Sequence, residues 1–410
     1  METRLADWIK DTADGREADA ILRTCVHCGF CNATCPTYQL LGDELDGPRG
    51  RIYLMKQLLE GAKVTRKTQV HLDRCLTCRN CESTCPSGVQ YGRLADIGRK
   101  LVAERVERPI AERLQRRAIA SLFSRTPIFG ALLKIGSTAK PLVPSPLANK
   151  MPESVADPGP WPAPRHARKM IALAGCVQPS LSPATNAAAA RVLDRLGISL
   201  VEASRAGCCG ALRYHLDYQA EGLDDMRALI DAWWPLAESG AEAIVMTASG
   251  CGVTVKEYAH LLARDPAYAK KAERISAMTK DLCEVLGDEM EKLVPRLARK
   301  PAAKVAYHPP CTLQHGQQIK GVTEHILRRA GFDLTPVDDA HLCCGSAGAY
   351  SILQPELSAQ LKQHKLAALQ SGMPDLILTS NIGCQTHLAG GASVPVKHWI
   401  VALDERLGAG

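Results

Sequence analysis

The chain has 410 residues, enough for two or three domains with sizeable cores, and 46% hydrophobic with 23% charged residues excludes both disorder and a small disulfide scaffold. Aromatic residues are scarce at 4%, whereas cysteines number 17, an odd count with many at two-residue gaps, which points to metal chemistry in a reducing compartment. The net charge of +7 is local: Arg93 to Lys140 carries eleven Lys/Arg against Asp96, Glu104, Glu107 and Glu112, which by itself amounts to the whole excess.

Met1 to Lys10 has Glu2 and Asp7 and no apolar stretch, so it does not read as a secretory signal and a cytoplasmic location is expected. Then comes Cys25-Val-His-Cys28-Gly-Phe-Cys31-Asn-Ala-Thr-Cys35-Pro36, which returns 50 residues later as Cys75-Leu-Thr-Cys78-Arg-Asn-Cys81-Glu-Ser-Thr-Cys85-Pro86. This C-x2-C-x2-C-x3-C-P run is the bacterial ferredoxin pattern, in which three thiolates hold one [4Fe-4S] cluster and the fourth reaches the other. The expected ligand sets are therefore Cys25, Cys28, Cys31 and Cys85 for cluster 1, and Cys75, Cys78, Cys81 and Cys35 for cluster 2. Structural zinc favours two separated cysteine pairs, and covalent haem needs a C-x-x-C-H that is absent. A helix-like stretch from Gly50 to Gly61 lies between the runs, so residues 1–100 are expected to form a mainly helical, two-cluster ferredoxin-like domain. His27, Arg74 and Arg79 either raise cluster potentials or are simply exposed.

Residues 101–140 read as a basic helical segment suited to an acidic partner, an anionic lipid surface or a solvated face. No aromatic stacking platform accompanies the charge, so no nucleic-acid partner is expected. The nearest approach to a membrane span, Ala118 to Gly136, is interrupted by Arg125 and Pro127, so no transmembrane helix is expected and a peripheral association is. Residues 141–166 read as a linker, because eight prolines between Pro141 and Pro164 favour extended chain.

Beyond the linker the chain repeats itself. Cys176, Cys208-Cys209-Gly210 and Cys251 recur as Cys311, Cys343-Cys344-Gly345 and Cys384, at offsets of 135, 135 and 133 residues. Arg191–Ala203 (RVLDRLGISLVEA) matches His325–Val337 (HILRRAGFDLTPV), and Ile244–Cys251 (IVMTASGC) matches Ile377–Cys384 (ILTSNIGC). Residues 167–295 and 303–410 are therefore expected to be two duplicated α/β Cys-Cys-Gly domains with parallel sheets. In the first copy the pattern predicts strands over Met170–Ala174, Ser199–Ala203 and Ala243–Thr247, and helices over Ala184–Leu196 and Tyr218–Leu236. The copies close with expected helices over Lys280–Leu293 and Lys397–Leu407.

Adjacent cysteines suit an unusual cluster, a redox thiol pair, a cofactor-facing turn, or simply buried inert thiols. Cys311, Cys343, Cys344 and Cys384 form a candidate third site, to which His308 and His387 are candidate additions. Cys283 lies outside both sets and reads as a small core residue. No G-x-G-x-x-G or Walker A loop appears, so no flavin is expected in this chain.

With these motifs located, the whole chain resembles the iron–sulfur subunits of bacterial glycolate oxidases, most tellingly over Cys25–Leu59, Leu72–Val89, Asp231–Pro235 (DAWWP) and His341–Ala347 (HLCCGSA). More distantly it resembles Cys-Cys-Gly subunits of anaerobic glycerol-3-phosphate dehydrogenase, lactate utilisation systems and heterodisulfide reductase. The resemblance implies a hetero-oligomer: flavin-binding subunits oxidise glycolate, and this chain carries electrons toward a membrane quinone pool from the inner face of the cell membrane. The heterodisulfide reductase motif ends in C-x-x-C, whereas Thr254 and His387 stand at those last positions here. That departure argues against such a site in the first copy and leaves a third cluster in the second open. A thiol-disulfide reductase and a docking scaffold are the other function classes that the Cys-Cys-Gly pairs admit.

Overall fold

The computed structural model describes residues 1–138, 155–298 and 300–407. Among the described residues up to 138 every regular element is helical. Helices Ala13–Thr24, Pro48–Leu59, Arg66–Asp73 and Tyr91–Ala103 bury Leu22, Met55, Leu58, Leu59, Leu72, Leu94 and Val102 in one core. The helix read from Gly50 to Gly61 spans Pro48–Leu59, with Pro48 at its first turn, where a missing N–H costs nothing.

Helices Ile110–Leu122 and Thr126–Thr138 follow, bent against each other by 109°. No single helix among the described residues is long and apolar enough to cross a membrane, although this bent pair passes by length and composition. Ile119 and Ala120 on the first of them pack on Leu216 and Ala349, and so against both repeats. The proline-rich stretch from Pro141 to residue 154 lies outside the described residues. From Val155 the chain runs without regular structure, with Trp161 Nε1 donating to Leu200 O at 3.1 Å and the Arg165 amide donating to Ser199 Oγ at 3.0 Å.

Each repeat contains a four-stranded parallel sheet. In the first, β1 (Arg168–Ala172), β2 (Ile198–Glu202), β3 (Ile244–Met246) and β4 (Thr279–Asp281) lie in the order β2-β1-β3-β4. In the second, β5 (Lys304–His308), β6 (Asp333–Leu334), β7 (Leu376–Thr379) and β8 (Val396–His398) lie in the equivalent order β6-β5-β7-β8. Central strands such as Ile244–Met246 are wholly buried and apolar, as parallel strands covered on both faces must be. The expected strands lie within two residues of β1, β2 and β3, and Ala184–Arg195 and Gln219–Glu238 are helical.

The closing elements differ from expectation. Lys280 and Lys397 are not the starts of helices but the middles of β4 and β8, and the helices begin only at Leu282 and Trp399. These strands are only three residues long and mostly polar, TKD and VKH, too short for an alternation to mark them, and pairing with β3 or β7 decides their conformation.

The repeats exchange packing reciprocally. Helix Ala184–Arg195 of the first lies on Trp399–Asp404 of the second, and Val322–Arg329 of the second lies on Leu282–Asp288 of the first. Cys283, Leu286, Val305, Ile326, Leu327 and Trp399 belong to one continuous core across that junction, with Cys283 wholly buried. His398 at the end of β8 donates from Nε2 to Thr247 O at 2.8 Å and accepts the Ile400 amide at Nδ1.

Candidate metal centres

In each sheet the chain leaves the first strand for one edge and returns on the other side, so the loops after those strands diverge and open a crevice at the C-terminal strand ends. Cys176, Cys208 and Cys251 follow β1, β2 and β3, and Cys311, Cys343 and Cys384 follow β5, β6 and β7. Topology alone thus gathers cysteines that are distant in sequence. The N-terminal helices contribute the remaining wall, and a cavity of about 1050 Å³ is lined by Cys78, by Cys176, Cys208 and Cys251, and by Cys311, Cys343 and Cys384. Phe123, Phe129 and Leu133 of the bent helix pair line it too.

The two C-x2-C-x2-C runs wrap alike. A helix ends at Thr24 or Asp73, the next residues coil through left-handed positions at His27 and Gly29 or at Thr77 and Arg79, and short helices Phe30–Ala33 and Asn80–Thr84 carry Cys31 and Cys81. Left-handed backbone at non-glycine residues is costly and persists where surrounding structure enforces it. Arg79, standing where the first run has glycine, is held by Glu82 at 2.9 Å and by Glu257 of the first repeat.

The thiols converge across the runs. Burial pushes Cys31 up to about 11, and the neighbouring Cys25, Cys85 and Cys28 thiols add to the effect, so Cys85 of the second run stands among the first run's cysteines. Burial likewise raises Cys81, together with Cys78, Cys75 and Cys35, which brings Cys35 of the first run into the second set. Cys75 behaves differently. Burial acts upward on it, but the guanidiniums of Arg51 and Arg99 outweigh this and hold it below the ordinary thiol range.

Arg51 is buried beside Asp46 at 3.4 Å, with Nη1 4.0 Å from Cys35 Sγ, and Arg99 donates to Cys75 O at 2.6 Å and to Thr77 Oγ1 at 2.8 Å. Tyr91 donates its hydroxyl to Cys75 Sγ at 3.6 Å. These residues, rather than Arg74, are the cationic and polar surroundings of the second set; Arg74 is taken up by Asp46 at 2.8 Å. Neither Arg51 nor Arg99 has a marker in sequence, because only the fold brings their helices against the second run.

The two sets differ in exposure. Cys28 is exposed, and Val26, Phe30 and Tyr53 beside the first set are exposed large hydrophobic residues. The second set faces inward: the Cys311 thiol helps raise Cys78, and both belong to an apolar cluster with Leu76, Cys343 and Tyr350.

Within the repeats, Gly210 (φ +82°) and Gly345 (φ +87°) turn the chain directly after each cysteine pair; a Cβ there would meet Gly222 O at 2.5 Å or Ser358 O at 2.7 Å. In the first repeat the thiols of Cys176 and Cys208, of Cys208 and Cys209, and of Cys209 and Cys251 are close neighbours that act on one another. The neighbouring Cys176 thiol, helped by Cys209 and the Gly210 amide, holds Cys208 well below the usual thiol value. In the second, Cys311 Sγ lies 3.8 Å from Cys343 Sγ, and the Cys344 thiol neighbours those of Cys343 and Cys384. Lys365, buried and donating to Asp339 O at 2.6 Å, places its ammonium near Cys344, Cys343 and Cys311.

The donor types fit the groups that the sequence pattern implies. Two convergent sets of four thiols suit iron–sulfur clusters, and burial with flanking cations suits anionic centres. The basic segment is less free than its sequence reads: Arg116 is buried against Asp73 at 3.1 Å and Asp217 at 3.4 Å, while Arg113 and Arg125 are exposed.

Comparison with known proteins agrees with this layout. Residues 21–89 match the 4Fe-4S dicluster domain model, and residues 171–256 and 305–389 match the cysteine-rich domain model. The chain is 27% identical to lactate utilization protein A of Bacillus licheniformis over 53% of its own length and 92% of that protein. It is 30% identical to the probable glycolate oxidase iron-sulfur subunit of Bacillus subtilis, over 88% of this chain and 87% of that one. With the glycolate oxidase iron-sulfur subunit of Escherichia coli K12 it shares 55% identity over 99% of both chains. Aligned end to end at that identity, and with both domain models matched, the chain belongs to the family of glycolate oxidase iron–sulfur subunits.

Proposed function

We propose that this chain is the electron-transfer subunit of a complex that oxidises glycolate, receiving electrons from flavin-binding partner subunits and delivering them toward a membrane quinone. The observation that carries the reading is the pair of convergent cysteine sets, one at an exposed apolar collar and one turned inward against the repeats. In this reading Cys25, Cys28, Cys31 and Cys85 hold one [4Fe-4S] cluster and Cys75, Cys78, Cys81 and Cys35 the other, in a helical ferredoxin-type domain over residues 1–100. When bound, such clusters supply one-electron transfer, which a flavin accepting two electrons from a 2-hydroxy acid requires downstream.

The chain's own residues divide the remaining work. Val26, Phe30 and Tyr53 offer an apolar rim at which a partner subunit docks beside Cys28. Arg51 and Arg99 stabilise negative charge at the second set, which favours its reduced state. Residues 167–295 and 303–410 form the two Cys-Cys-Gly domains, and Cys311, Cys343, Cys344 and Cys384 of the second are a third metal-binding set, for a third iron–sulfur cluster. Ile110, Leu114 and Ile135, exposed on the bent helix pair beside Arg113 and Lys134, suit peripheral attachment to an anionic membrane surface, with the cytoplasmic face as its side.

The test is steady-state reduction of a quinone analogue by glycolate in the purified complex, with and without this chain. Without it, flavin reduction by glycolate should continue and quinone reduction should stop; full-rate quinone reduction in its absence would overturn the proposal.

A further inference from the structure

The two repeats are unequal at one buried position. Counted back from Cys176 and Cys311, Leu173 in the first repeat corresponds to His308 in the second. Leu173 packs in the apolar core of its repeat. His308, the last residue of β5, is 1% exposed, and among the described residues neither Nδ1 nor Nε2 has a hydrogen-bond partner.

A neutral imidazole carries one donor and one acceptor, and interiors rarely leave either unused, so an imidazole with both nitrogens unmet calls for a partner of another kind. The surroundings supply one. A ring nitrogen of His308 and the sulfurs of Cys344 and Cys384 all lie within 4.8 Å of one another. The three come from separate, well-anchored places: the end of β5, the turn fixed by Gly345, and the first turn of helix Ile382–Ala389. Asn381 Nδ2 donates to Cys384 Sγ at 3.6 Å, and the Lys365 ammonium lies near Cys344. Imidazole and thiolate together are donors for borderline-soft transition metals and not for magnesium or calcium.

We propose that His308, Cys344 and Cys384 ligate a transition-metal centre through one imidazole nitrogen and two thiolates, a site that the first repeat, with Leu173 in place of the histidine, does not possess. This rests on the reading of the second repeat as metal-binding and adds a nitrogen ligand to it. His387, one turn beyond Cys384 on the same helix, lies near the His308 ring with its Nε2 bonded to Ser358 Oγ at 3.3 Å; its counterpart in the first repeat is Thr254. The same donor set accepts a single zinc ion or an iron of a third cluster.

The full chain, purified anaerobically, should be measured by metal analysis, by X-ray absorption at the zinc and iron edges, and by pulsed EPR after reduction. The expected result is either about one zinc per chain with sulfur and imidazole scatterers, or iron beyond the roughly eight of two cubanes with nitrogen coupling to a paramagnetic centre. In either case His308→Ala should remove that metal and its nitrogen signature while His308→Cys restores metal content. Neither zinc nor extra iron in the wild-type chain, or an extra centre with sulfur-only coordination, would overturn the proposal without any variant having to fold. The eight-iron signals, read in the same samples, report separately on the electron-transfer reading.

Discussion

Cys78, from the second ferredoxin-type run, packs on the apolar cluster that holds Cys311 of the second repeat together with Leu76 and Tyr350, and the Cys311 thiol acts electrostatically on it. The junction around them is fastened by polar bonds on every side: Asn80 Nδ2 donates to His341 O at 3.3 Å, His315 Nδ1 meets Ser83 Oγ at 2.9 Å, and the Tyr350 hydroxyl donates to Arg74 O at 3.2 Å. A joint held this way keeps the inward cysteine set at a fixed separation from the second repeat's thiols, and fixed separation is what electron transfer between sites requires.

The convergence of the runs makes a prediction that a simple one-run, one-cluster picture does not. Cys35→Ser should remove the same EPR signal as Cys78→Ser, and Cys85→Ser the same signal as Cys28→Ser, because each fourth cysteine stands with the other run. Each variant should also lower the unfolding temperature, since cluster binding and folding are coupled. Pairing of the losses within each run would refute the crossed arrangement.

Replacing Arg99 by methionine should lower the midpoint potential of the second centre and leave that of the first unchanged. The change removes a cation whose charge acts on Cys75 and takes the guanidinium donor away from Leu72 O and Cys75 O. Redox titration followed by EPR resolves the two centres; equal shifts in both would contradict the assignment.

His398 predicts a pH dependence of the joint between the repeats. Burial lowers it to about 4, against about 6.5 for an exposed imidazole, while its ring bonds Thr247 O and the Ile400 amide in the neutral form. The folded state therefore binds fewer protons than the unfolded one between those values. The corresponding stability, roughly 3 kcal/mol, is fully present above pH of about 6.5 and is lost as pH falls through about 4. Thermal unfolding of His398→Gln should start lower at pH 7 and fall less steeply on acidification; an unchanged slope would remove this group from the account.

Attachment to anionic vesicles should depend on Ile110, Leu114, Ile135 and Arg113, and Leu114→Asp with Ile135→Asp should reduce co-sedimentation severalfold in low salt. Arg116→Gln should instead destabilise the fold by about 3 kcal/mol, because Asp73 and Asp217 lose a buried partner. Vesicle binding that is unaffected by the apolar changes would assign this face to another role.

Much of this architecture is legible in the residues, and what is not has a physical cause. The cysteine runs carry their chemistry in their spacing, and the duplication is visible because both copies keep the same strand, turn and helix pattern around Cys-Cys-Gly. β4 and β8 escape notice because three-residue, mostly polar segments acquire strand conformation only by pairing. Arg51 and Arg99 act through packing between helices that sequence order does not predict, and Arg116 reads as surface charge until Asp217 of the first repeat is placed against it. His308 is visible as a residue near Cys311; its isolation among thiols, in a slot where the first repeat keeps leucine, exists only in the fold.

The central claim is that this chain carries two crossed four-cysteine iron–sulfur centres, and it is tested most directly by iron and acid-labile sulfide analysis with EPR of the reduced, anaerobically purified protein. The account predicts at least about eight irons and eight sulfides per chain and two cubane signals, each abolished by substitution in its own crossed set. Fewer than about eight irons, or a single signal indifferent to Cys35→Ser and Cys85→Ser, would contradict it.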